Sequence, residues 1–94
     1  MDKVQLLHPE GKKAISMDKE KYDILRVSLL DCLKAQQPLS FEGLLNEVEQ
    51  VLKKKKLKVQ GKLEWNLFWV TLDLVARKKI IKDSTVSPML YNLP

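Results

Sequence analysis

The chain has 94 residues, 45% of them hydrophobic and 31% charged, with a formal net charge of +5. That length holds one modest core and leaves little room for an enzyme-sized internal cleft, and the composition is that of a soluble globular domain, not a fibrous or low-complexity one. One cysteine, Cys32, excludes an intramolecular disulfide. Asp73 and flanking charges interrupt the longest apolar stretch short of the ~18 residues of a membrane span. The N-terminus MDKVQLLHPEGKK lacks the apolar run of a secretory signal, so the chain reads as cytosolic, that is cytoplasmic.

Charge is unevenly spread. Residues 1–50 hold seven Lys/Arg against nine Asp/Glu, a net of −2, whereas residues 51–94 hold ten against three, a net of +7. Phosphate attraction and counterion release scale with the number of cations that reach a nucleic-acid backbone, so a one-sided positive field suits a nucleic-acid or acidic-surface binder. Solvation alone is the competing reading.

Residues 1–13 read as an N-terminal arm, in which Val4, Leu6 and Leu7 are apolar but His8, Pro9 and Gly11 break any helix. Residues 14–94 read as one domain. Ala14 to Met17 is a short extended piece, and the first helix is predicted from about Lys19 to Ala35, with Asp18 as N-cap and a stripe of Tyr22, Leu25, Leu29, Cys32 and Leu33. Glu20, Asp31 and Lys34 mark its outer face. After the connector Gln36-Gln37-Pro38, Ser40 is the predicted N-cap of a second helix from Phe41, with Leu39 stapled to Leu44. Phe41, Leu44, Leu45, Val48, Val51 and Leu52 share one arc, and Lys55 is the next residue to land on it, so burial should end near Leu52. Lys53 to Lys56 then finish the helix or leave it, and lysines there complement the negative end of the helix dipole.

The third helix, within Lys62 to Lys79, carries two apolar arcs. Trp65, Phe68, Trp69, Leu72, Val75 and Ala76 fall on a broad one; Leu63, Leu67, Val70 and Leu74 fall on a narrower one. Thin polar stripes separate them, Lys62, Asn66, Asp73 and Arg77 on one side and Glu64, Thr71 and Lys78 on the other. Such a helix is expected at the centre of the fold, covered on both faces. Beyond it, Ile80 and Ile81 read as a strand, Ser84 to Pro88 as a turn, and Met89 to Leu93 as a returning strand with Leu90 or Tyr91 facing inward. The order implies a mainly α (α+β) winged helix: a three-helix helix-turn-helix core with a C-terminal β-hairpin wing.

Several segments carry a resemblance: Asp18-Lys19-x-Lys21-Tyr22, Pro38-Leu39-Ser40-Phe41, Trp65 with Leu72-Asp73-Leu74-x-Ala76-Arg77, and Tyr91-Asn92-Leu93. Together they resemble a family of small bacterial winged-helix-like proteins of uncharacterised function, over nearly all the chain after the arm. That resemblance implies a fold and supplies no functional residues.

Nucleic-acid contacts would come from Lys53, Lys54, Lys55, Lys56 and Lys58 before the third helix, and from Lys78, Lys79 and Lys82 at the base of the wing. Lys62, Asn66 and Arg77 are the residues of the third helix able to reach base edges. Its polar stripe is narrow and contains Asp73, so the expected partner is double-stranded DNA held mainly by non-specific phosphate contacts. The alternative is an interaction or homodimerisation module without DNA binding, in which Leu63, Leu67, Val70 and Leu74 meet another chain unless the arm covers them. Trp65 and Trp69, four apart, read as packing. Cys32 reads as a buried structural thiol, and His8 has no partner at metal-ligand spacing. No phosphate loop or nucleophile motif is present, so neither catalysis nor a metal, cofactor, small-molecule substrate or membrane partner is expected.

Overall fold

The computed structural model describes residues 2–94, beginning with two short strands. β1 (Lys3–Gln5) pairs antiparallel with β2 (Ser16–Asp18), placing Lys3 opposite Asp18 and Val4 opposite Met17. The segment read as an arm is therefore built into the fold. Leu6 is buried in the core, and its N–H donates to the Ile15 carbonyl at 3.0 Å. Burial of a leucine contributes about 1.5–3 kcal/mol, which adds to the β1–β2 ladder in holding the segment.

Two helices follow the periodicity of the sequence. α1 (Lys19–Ala35) buries Tyr22, Leu25, Leu29, Cys32 and Leu33, and Ser28 with them. Asp18 stands at its N-cap without a side-chain capping bond; it belongs to β2, and the ladder continues through Lys19 N–H to the Asp2 carbonyl at 3.0 Å. α2 (Phe41–Lys54) begins at Ser40, whose Oγ accepts from Gly43 N–H at 3.1 Å. Leu44, Val48 and Leu52 are its buried residues, and Lys55 is exposed.

The Leu39–Ser40 dipeptide is itself a strand, β3, because the preceding proline cannot continue a helix and biases Gln37 toward extended backbone. The C-terminal strands β4 (Ile81–Asp83) and β5 (Leu90–Asn92) pair as a hairpin, but β5 also pairs with β3, Leu39 opposite Tyr91. Three strands thus run in the order β3-β5-β4, so the expected two-stranded C-terminal wing is part of a three-stranded sheet that takes in β3. Tyr91 is the inward residue of β5, while Ile80 is buried and Ile81 points to solvent.

α3 (Leu63–Ala76) departs from expectation. Packed against α1 and α2, it sends its narrow arc inward, where Leu67, Val70 and Leu74 have no exposed surface. On the broad arc Trp69, Leu72, Val75 and Ala76 are half-buried, and only its N-terminal part opens to solvent, with Trp65 55% and Phe68 43% exposed. The result is an α+β domain of three helices and two small antiparallel sheets around one core. Among the described residues no helix is long and apolar enough to cross a membrane.

Candidate functional site

Lysines gather at the two ends of α3, and the local backbone explains how. At the end of α2, Lys55 is the C-cap and Lys56 follows with φ +54, in the left-handed region. Lys56 N–H reaches the Lys53 carbonyl at 3.1 Å and Leu57 N–H the Leu52 carbonyl at 2.9 Å, the paired bonds of a Schellman motif. The same motif ends α3: Lys78 has φ +62, its N–H reaches the Val75 carbonyl at 3.1 Å, and Lys79 N–H reaches the Leu74 carbonyl at 2.8 Å. Glycine is the usual residue at this position, since a side chain there costs about 1–2 kcal/mol. Both motifs of this chain carry lysine instead.

Lys53, Lys54, Lys55, Lys56, Lys58 and Lys62 are all exposed, and among the described residues only Lys53 has a carboxylate partner, Glu49 at 3.2 Å. Lys78, Lys79 and Lys82 are likewise exposed. The structure does not gather these cations into one patch. α3 has 14 residues, so at ~1.5 Å per residue roughly 20 Å separates Lys62 from Lys78.

The polar residues expected to reach base edges are occupied elsewhere. Asn66 is buried, and its Nδ2 donates to the Lys62 carbonyl at 2.8 Å and the Gln60 carbonyl at 3.3 Å, tying the incoming loop to the first turn of α3. Gly61, at φ +85, lies so close that a Cβ would stand 3.1 Å from that nitrogen. Arg77 Nε donates to both Asp73 oxygens at 2.9 Å, and its Nη2 reaches the Gln5 carbonyl at 3.3 Å.

Asp73 is fully buried and central. Besides Arg77 it accepts from Tyr22 Oη at 2.5 Å and from Leu7 N–H at 2.9 Å, so one carboxylate joins α3 to α1 and to the N-terminal segment. Burial, then the bond to Asp73, pushes the Tyr22 phenol up to about 12. The hydrogen bond to Asp73 raises the Arg77 guanidinium. This network is structural, because its polar side chains are spent on one another and the Asp73 carboxylate at its centre is fully buried.

Leu67, Val70 and Leu74, expected at a partner interface, lie inside the core, and Leu63 is half-buried; they are closed off within the monomer. The apolar surface actually open is the one sequence reasoning assigned to packing. Phe41 and Phe68 meet edge to face with centroids 5.7 Å apart, Trp65 and Trp69 at 5.8 Å. Phe41, Lys62, Glu64, Trp65 and Phe68 line an open groove of about 440 Å³. The one signal in the sequence was the flanking pair Lys62 and Glu64, charges that mark the start of the broad arc as near water.

Chemistry elsewhere is sparse. Burial, then Glu47 and Asp31, raises the Cys32 thiol, opposing the thiolate that reactivity needs. Among the described residues no group of three or more His, Cys, Asp or Glu side chains is arranged to hold a metal ion.

The chain belongs to a family of unknown function (DUF6958). That family matches residues 3–90. The DUF6958 match takes in β1, both lysine-bearing helix ends and the aromatic groove, so the N-terminal strand is part of the family's domain. No curated protein and no solved structure matches the chain.

Proposed function

We propose that this protein is a non-enzymatic nucleic-acid-binding module on a winged-helix scaffold, gripping the phosphate backbone through lysines at the two ends of α3. The single observation that carries the reading is the pair of left-handed lysines, Lys56 and Lys78. Glycine would fit both positions at lower conformational cost, and backbone strain that persists points to a role for the side chain. Helix-dipole complementarity accounts for a cation near each terminus, but Lys53, Lys54 and Lys55 already supply it at the first. The scaffold reading is supported by the order helix, strand, helix, helix, hairpin, with β3 added beside β5. Since Asn66 and Arg77 are occupied and the outer face of α3 is aromatic, contact with double-stranded DNA would be non-specific.

Fluorescence anisotropy of a labelled random duplex at several salt concentrations tests this. Binding should weaken with a log–log slope near −0.9 per contact, for about three to five contacts. Replacing Lys54, Lys55, Lys56 and Lys58 by Gln should lower affinity alike for every sequence and flatten that slope. Absence of binding at low salt would refute the proposal. A second reading, a protein-interaction module without DNA binding, is favoured by the exposed Trp65 and Phe68.

A further inference from the structure

We infer that the groove of Phe41, Trp65 and Phe68 is a self-association surface, occupied by a second copy of this chain related by a two-fold axis. The surface shares Lys62 with the residues assigned to nucleic acid and otherwise lies on the outer face of α3 between the two lysine clusters.

Apolar exposure alone would not choose an occupant. The charges on the groove do. Its polar lining is one cation, Lys62, and one anion, Glu64, both exposed. In a two-fold interface the same patch faces itself, so whatever residue i offers to j is returned by j to i. Lys62 of one copy can therefore meet Glu64 of the other, and the pair forms twice. A polyanion would gain from Lys62 but be repelled by Glu64. A like-charged copy would be repelled across most of this +5 surface, but not across a groove with one charge of each sign.

Area sets the strength. Aromatic side chains bury 150–250 Å² each, so the exposed halves of Trp65 and Phe68 offer on the order of 200 Å², about a quarter of the ~800 Å² per partner of a standard interface. They suit the central anchors of an interface whose remainder is rim. The dimer is accordingly weak, with micromolar or weaker affinity, and depends on concentration.

Sedimentation equilibrium of the whole chain, from micromolar to millimolar, at low salt and with and without nuclease, reads the result. The wild type should shift from monomer to dimer, and Trp65→Ala should weaken that shift by ~10-fold or more. Lys62→Glu and Glu64→Lys should each weaken association, because each sets like charges against one another. Mixed in equal amounts, these two variants should associate again, since both cross-pairs are then opposite in sign. Both positions are exposed, and circular dichroism confirms that each variant is folded. A wild type that stays monomeric at millimolar concentration overturns the inference. So does a mixture that associates no better than its components, or an association abolished by nuclease.

Discussion

Tyr22→Phe is the cleanest probe of what holds α3 in its orientation. The substitution removes one oxygen and leaves the ring in the buried core cluster. It deletes the bond from Tyr22 Oη to Asp73, one of three groups donating to that buried carboxylate. A hydrogen bond to a charged group contributes about 1.5–3 kcal/mol, and Asp73 has no exposed surface through which water could replace it. A loss of about 2 kcal/mol is expected. For a domain of this size that lowers Tm by roughly 8–15 °C and consumes a large part of a total stability of about 5–15 kcal/mol. Urea unfolding followed by far-UV circular dichroism measures it, with an unchanged m-value expected because the exposed surface is unchanged. Arg77→Met and the double variant complete a cycle; both residues act on Asp73, so their effects should differ from additivity by at least ~0.5 kcal/mol. A Tyr22→Phe loss below about 0.5 kcal/mol, or strict additivity, would refute the claim that Asp73 anchors α3 through Tyr22.

Alkaline titration gives an independent check: Tyr22 is raised to about 12 by burial and then by Asp73, and Tyr91 is raised by burial. The Tyr22 phenol should not ionise in the folded protein near pH 10, and the Tyr91 phenol should ionise above its ordinary value, both read by absorbance near 295 nm. Raised phenols favour folding fully below their unfolded values near 10, and that contribution should fall away as pH rises toward about 12. Lys56→Gly and Lys78→Gly should each stabilise the fold by about 0.5–1 kcal/mol by relieving the left-handed backbone, while weakening DNA binding; a loss of stability would show that these side chains pack. Ser40→Ala should cost about 1 kcal/mol by removing the α2 cap, read by thermal melting. Leu67→Asp should prevent folding, whereas Trp65→Asp should leave the circular dichroism spectrum intact, because only the first places an unpaired charge in the core.

Local periodicity determined α1 and α2 by themselves. In α2 a single apolar stripe lets only one face turn inward, and Ser40 and the lysines after Leu52 mark where it begins and stops being buried. The basic C-terminal half was equally plain, because charge needs no fold to be counted. Tertiary structure decided the rest, for reasons a one-dimensional pattern cannot hold. α3 has two apolar arcs, and periodicity cannot rank them. The narrow arc goes inside because the polar residues beside it can be satisfied there, Thr71 by the Leu67 carbonyl at 2.8 Å, Asn66 by its own loop, and Asp73 by Tyr22 and Leu7 from distant parts of the chain. Sending it in exposes Trp65 and Phe68 and hides Leu67, Val70 and Leu74, reversing the expected partner face. The pairing of β3 with β5 joins Leu39 to Tyr91, across most of the chain, and the built-in N-terminal strand depends on a carboxylate in α3. Contacts so far apart in sequence leave no local pattern, because the residues that satisfy each other become neighbours only once the core has formed.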